Sequence, residues 1–149
     1  MENKTIYLDM DGTFCNLYAV PNWLEMLQNE DTTPYEQAPY MVNNAHLARL
    51  LNGLQRKGYN IGIISWLSKN GSAEYNRAVT KAKQEYLRKH FPSVSFNNVI
   101  IVPYGTPKET FNSGFDYLID DEAQNLENWT GEAYHASKLI EVLQEILRG

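Results

Sequence analysis

The sequence is poor in the residues that staple a chain or carry it through a bilayer. Cys15 is the only cysteine, so no disulfide can close within the chain, and no Cys-x-x-Cys pair is present to hold zinc. His46, His90 and His135 are the only histidines, and they lie scattered in helical or late segments, which again disfavours zinc. Long apolar runs are missing too. The longest, Ile61 to Leu67 and Val99 to Val102, fall far short of the roughly 20 residues that a membrane span needs. Met1 to Thr5 is polar and runs straight into a strand-like segment, so no secretory leader is expected, and a reducing cytoplasm is the expected setting. There the glycosylation-type triplets beginning at Asn3, Asn70 and Asn128 carry no meaning. Repeats and low-complexity stretches are absent, and 43% apolar against 21% charged residues excludes a mostly disordered chain.

What is present is unevenly charged. Residues 1–48 carry seven acidic groups and one basic, residues 49–108 ten basic and two acidic, and residues 109–149 nine acidic and two basic. The basic middle reads as a solvated face on one or two helices. The sharper alternative is a positive flank that draws an anionic substrate toward a carboxylate-rich site. The chain as a whole, at a net charge of −5, does not read as a dedicated nucleic-acid binder.

Hydropathy alternates between strand and helix patterns. Thr5 to Leu8 reads as a short buried strand and Tyr59 to Ser65 as a strand covered on both faces. Asn98 to Pro103 reads as a third buried strand, Tyr117 to Asp120 as a fourth, with a weak strand near Tyr134. Asn43 or Asn44 can cap a helix with Leu47, Leu50, Leu51 and Leu54 on one stripe, closed by Gly58. Ser72 can start a longer helix with Tyr75, Val79, Ala82 and Tyr86 on one side, stopped by Pro92. A short helix is expected around Leu126 and Trp129, and a last one carries Leu139, Leu143, Ile146 and Leu147. From Phe14 to Val42, Pro21, Pro34 and Pro39 interrupt the pattern and leave one helical candidate around Trp23, Leu24 and Leu27. This alternation predicts a three-layer, Rossmann-like α/β fold with a central parallel sheet. We expect a single domain over residues 1–149, with a small insertion at about 14–42 lying over the top of the sheet.

Ligands of such sheets sit beyond the carboxyl ends of the strands, and the polar residues of interest fall there. Asp9 and Asp11 follow the first strand, Ser65 ends the second, Lys108 lies after the third, and Asp120 and Asp121 end the fourth. Four carboxylates in one crevice stay ionised together only if cations compensate them. An all-oxygen set favours a hard ion, and Mg²⁺ is the expected one. A carboxylate can attack phosphorus when a cation screens its charge. Asp9 then reads as the nucleophile and Asp11 as general acid and later base. Gly12 reads as the bend that brings backbone N–H groups to the phosphate, Ser65 as a donor to a phosphoryl oxygen, and Lys108 as the neutralising cation. Asp120 completes the metal site, and Asp121 orients it from behind.

Asp9-Met10-Asp11-Gly12-Thr13, Ser65 after Ile61-Gly62-Ile63-Ile64, Lys108, and Leu118-Ile119-Asp120-Asp121 resemble the four ordered motifs of the haloacid dehalogenase superfamily, across residues 5–147. Within it they are most similar to the 5′(3′)-deoxyribonucleotidase group of 5′-nucleotidases. The resemblance implies a Mg²⁺-dependent phosphomonoesterase that forms an aspartyl-phosphate at Asp9. It also implies a metal held by the Asp9 side chain, the Asp11 backbone carbonyl and Asp120, under a reduced cap. Small phosphate monoesters are the implied substrates, nucleoside monophosphates first.

Phe14, Tyr18, Trp23, Tyr35, Tyr40 and Trp66 form an aromatic set near the expected crevice, able to stack on a base. Phe14 and Trp66 are the expected substrate contacts, with Met10 and Gly12 beside them, whereas Trp23 is expected in the insert's own core. Cys15 reads as an incidental small apolar side chain. His46 and His90 read as helix-surface residues and His135 as packing near the last strand. Two other functions stay open: a polynucleotide-end phosphatase guided by the basic stretch Arg77 to Lys89, and a non-catalytic phosphate-binding regulator. A mutase is disfavoured, because a short insert covers too little to exclude water.

Overall fold

Every strand among the described residues runs in the same direction, so their carboxyl ends meet on one edge. In a computed structural model describing residues 4–149, β1 (Thr5–Leu8), β2 (Asn60–Trp66), β3 (Asn98–Val102), β4 (Tyr117–Asp120) and β5 (Glu132–His135) pair only in parallel, in the order β3-β2-β1-β4-β5. Residues 1–3, among them the first residue of the Asn3 triplet, lie outside the described residues. Register places Leu8 beside Ile63 on one side and Ile119 on the other. The residues that follow β1 are thereby flanked by Ser65 and Asp120.

Side chains alternate across this sheet as the strand period requires. Ile6, Leu8, Ile61, Ile63 and Ile119 pack against α3 (Asn44–Arg56), α6 (Leu139–Arg148) and the end of α4 (Ala73–His90). Tyr7, Ile64 and Leu118 face the other way, onto Trp129 and Leu126 of the segment around α5 (Ala123–Asn128). Gly62 is fixed by close approach: a Cβ there would lie 2.7 Å from the Tyr7 ring, which stands edge-on to Trp129. Both long helices start as predicted. The Asn43 side chain accepts the His46 N–H at 3.0 Å, and Ser72 Oγ accepts the Tyr75 N–H at 3.0 Å. No helix among the described residues is long and apolar enough to cross a membrane.

Three expectations need correction. β3 is not buried but is the outer strand, with Val99 39% exposed, because one of its long sides has no neighbour. His135 does not pack. It ends β5, the opposite edge, and accepts the Ser137 N–H at Nδ1 (3.0 Å), capping the short turn Ala136–Lys138. His90 is half-buried rather than on a free helix surface, its Nδ1 2.5 Å from the Tyr40 hydroxyl.

The insert holds more helix than its prolines suggest. A turn at Leu17–Ala19 and α1 (Trp23–Gln28) are followed by α2 (Thr33–Gln37), in which Pro34 occupies the first turn, where a missing N–H costs nothing. The insert is tied to α4. Tyr75 Oη donates to the Asp31 carbonyl and Tyr86 Oη to the Ala38 carbonyl, both at 2.8 Å. The Glu30 carboxylate accepts the Ser72 N–H at 3.0 Å and its hydroxyl at 2.7 Å. At the opposite end of the sheet, buried Asp116 accepts the Thr5 N–H (3.0 Å) and the Ser113 N–H (2.8 Å), while its carbonyl takes the Trp129 indole N–H (2.9 Å).

Candidate active site

Asp9 leaves β1 as its backbone N–H donates to the Ile119 carbonyl at 3.0 Å, which keeps it level with β4. The chain then reverses tightly: the Met10 carbonyl accepts from the N–H groups of Thr13, Phe14 and Cys15 at 3.1 Å each. Gly12, at φ +85°, allows this bend. It also makes room, because a Cβ at position 12 would lie 2.0 Å from an Asp121 carboxylate oxygen. Its own N–H is donated to the Cys15 carbonyl at 2.8 Å.

The residues from four strand ends converge. Asp9, Asp120 and Asp121 each offer a carboxylate oxygen within 4.8 Å of the other two. Asp121 is therefore a full member of the cluster rather than a group behind it. Lys108, 1% exposed, begins a short turn at Lys108–Phe111. Its ammonium donates to Asp9 Oδ1 (3.0 Å), Asp120 Oδ2 (2.7 Å) and the Ile64 carbonyl (3.0 Å). Fully buried Asp120 is further held by the Glu122 N–H (3.0 Å) and Asn125 Nδ2 (3.1 Å), and Asp9 by Thr13 Oγ1 (3.3 Å).

One cation does not neutralise three carboxylates. Burial, then repulsion from Asp120 and Asp11, pushes Asp9 up to about 6 despite Lys108. Burial and the neighbouring Asp9 push Asp121 up to about 8. Burial works against the Lys108 ammonium, but Asp9 and Asp120 outweigh it and raise its pKa. An all-oxygen cluster short of positive charge fits a hard divalent ion such as Mg²⁺. No histidine or cysteine joins the cluster among the described residues, so the donor set does not suit zinc.

A second buried lysine was not foreseen. Lys83 of α4, 1% exposed, donates to Asp11 Oδ2 (2.8 Å), Ser65 Oγ (2.6 Å) and the Trp66 carbonyl (2.7 Å), beneath the Tyr35 ring at 5.1 Å. Its signal was available: Lys83 borders the stripe of Tyr75, Val79, Ala82 and Tyr86 that faces the core, where a solvated lysine cannot sit. Thr13 and Asn125 carried no such signal.

A cleft of about 600 Å³ opens above the cluster, lined by Asp9, Asp11, Lys108 and Asp121 at its floor. Tyr18 and Trp23 of the insert form one aromatic pair on its walls, with centroids 4.9 Å apart, and Trp66 and Tyr104 form another at 5.0 Å. Trp66 thus faces the cleft as expected, and Trp23, half-buried, does so too rather than serving only a core. Phe14 does not: it is buried edge-on against Phe91 in the main core. Met10 likewise packs inward, because the reversal after Asp9 turns its side chain under the sheet edge. Ser65 is buried behind the wall and does not line the cleft; its Oγ accepts from the Lys83 ammonium. Cys15 is buried, which raises its thiol pKa well above the usual range.

The class of molecule follows from the fold: a three-layer, Rossmann-like α/β protein with five parallel strands and helices on both faces. No family model and no curated protein matches the sequence. Among solved structures the chain is similar to D,D-heptose 1,7-bisphosphate phosphatase from Burkholderia thailandensis, with a TM-score of 0.61 and 12% identity, over 99% of this chain and 100% of that one. At that identity the likeness is one of fold.

Proposed function

We propose that this chain is a Mg²⁺-dependent phosphomonoesterase of the haloacid dehalogenase superfamily, acting on small phosphate monoesters, with nucleoside monophosphates the leading class. The observation that carries the reading is the meeting of Asp9, Asp120 and Asp121 within 4.8 Å at the floor of an open cleft, with Lys108 bridging two of them. Side chains of Asp9, Asp120 and Asp121, with the Asp11 backbone carbonyl, would hold the ion. Mg²⁺ supplies charge neutralisation for the phosphoryl oxygens and lets an anion approach the carboxylates.

The chemistry then belongs to two aspartates. A carboxylate oxygen of Asp9 attacks phosphorus, the ester P–O bond breaks, and its electron pair leaves on the alcohol oxygen. The carboxyl group of Asp11 gives that oxygen its proton. Water next attacks phosphorus of the aspartyl-phosphate while the Asp11 carboxylate takes its proton, and the bond to Asp9 breaks to release phosphate. Lys108 lends its positive field to the transferring group throughout. Ser65, turned to Lys83, acts as an anchor instead of touching the phosphate.

A cleft of about 600 Å³ is roomy enough for a mononucleotide, and its aromatic walls favour a planar group. The named neighbour's sugar bisphosphate makes sugar phosphates the competing class. Phosphate release from a panel of nucleotides and sugar phosphates with Mg²⁺ tests the substrate. Asp9→Asn is expected to abolish release while the circular dichroism spectrum is unchanged. Wild-type turnover by this variant would refute the covalent route.

A further inference from the structure

Lys83 has no part in the chemistry above, yet it is a charged side chain placed wholly inside the protein, where an ammonium persists only with partners. An ammonium has three N–H donors. Those of Lys83 go to Asp11 Oδ2, Ser65 Oγ and the Trp66 carbonyl, so none is free for a substrate. Two of these acceptors belong to β2, an interior strand hydrogen-bonded on both sides. The third sits in the irregular turn after β1, where no regular pairing fixes a side chain. Tyr35, beneath which the ammonium lies, closes the remaining approach from the insert.

We propose that Lys83 is a positioning residue: it transmits the fixed place of the β2 end to the Asp11 carboxylate, holding one oxygen and leaving the other to face the leaving group. The inference rests on the phosphomonoesterase reading. Lys83 and Lys108 then divide the work, Lys108 serving the carboxylates around the ion and Lys83 the carboxylate that moves protons.

A residue that acts through proton delivery is recognised by the leaving group. A nitrophenolate departs without a proton, whereas an alkoxide needs one. Turnover by Lys83→Met is therefore measured on 4-nitrophenyl phosphate and on an alkyl phosphate. The expected loss in kcat/KM, which reports the first transfer and not the later hydrolysis that both esters share, is about a hundredfold on the alkyl ester and about tenfold or less on the aryl ester. Asp11→Asn should show the same contrast, and adding Lys83→Met to it should cost nothing further on the alkyl ester. Ser65→Ala, which removes one anchor without burying a new group, should show the contrast more weakly and serves if Lys83→Met does not fold. Equal losses on both esters, or additive losses with Asp11→Asn, would overturn the positioning role while leaving the phosphatase reading intact. Failure of the wild type to hydrolyse either ester, or turnover by Asp9→Asn, would instead defeat the parent reading and this inference with it.

Discussion

At position 12 the choice of residue is decided by the carboxylate next to it. A methyl group there would collide with Asp121 at 2.0 Å, and the φ of +85° disfavours any side chain. Gly12→Ala is expected to destabilise the fold by about 1–3 kcal/mol, read from the denaturant midpoint, and to weaken Mg²⁺ binding by displacing Asp121. Single residues also mark the limit of what the sequence discloses. Asp9, Asp11, Asp120 and Asp121 were legible because polar groups at the ends of apolar strands have few reasons to be there, whereas Lys108, in the loop after β3, was legible only from its place after Pro107 and ahead of β4. Met10 and Phe14 were misread because adjacency to a motif says nothing about which way a turn points. Lys83 was hidden by the rule that lysines are solvated; only its place beside an apolar stripe speaks against it.

Elements were easier to read than their surroundings. Periodicity and caps located α3 and α4, while the burial of β3 was overestimated, since an apolar run cannot say whether a strand is inner or outermost. α2 escaped because a proline counts as a breaker unless the helix start is known. The insert's attachment to α4 is a matter of tyrosine hydroxyls reaching backbone carbonyls, which no pattern in the chain reveals. Tyr86→Phe removes the bond to the Ala38 carbonyl and leaves that acceptor unpaired. The expected cost is about 1 kcal/mol in chemical denaturation, with the ring packing kept.

For the molecule as a whole, two of the ten basic groups in the middle segment point inward, and the acidic ends of the chain converge on them. Asp9 and Asp121 are raised from 3.8 to about 6 and about 8, so the folded state binds protons more tightly than the unfolded chain. Their contribution to stability is full below 3.8 and is lost as pH rises through about 6 and then about 8. A divalent ion held by the ionised cluster, as proposed above, would reverse this trend. After EDTA treatment and dialysis, Mg²⁺ should therefore raise Tm more at pH 8 than at pH 5. A shift of equal size at both values would contradict the cluster as a metal site.

The clasp at Asp116 gives the sheet a remote alignment pin. A parallel strand that slips by one residue travels about 3.3 Å and turns its side chains to the opposite face. Asp9 and Asp120 can share an ion only while β1 and β4 stay in step, and the buried carboxylate gripping Thr5 where β1 begins resists such a slip. The tolerance of the acidic cluster is thus governed from the far edge of the molecule, by a residue that no ligand in the cleft would touch.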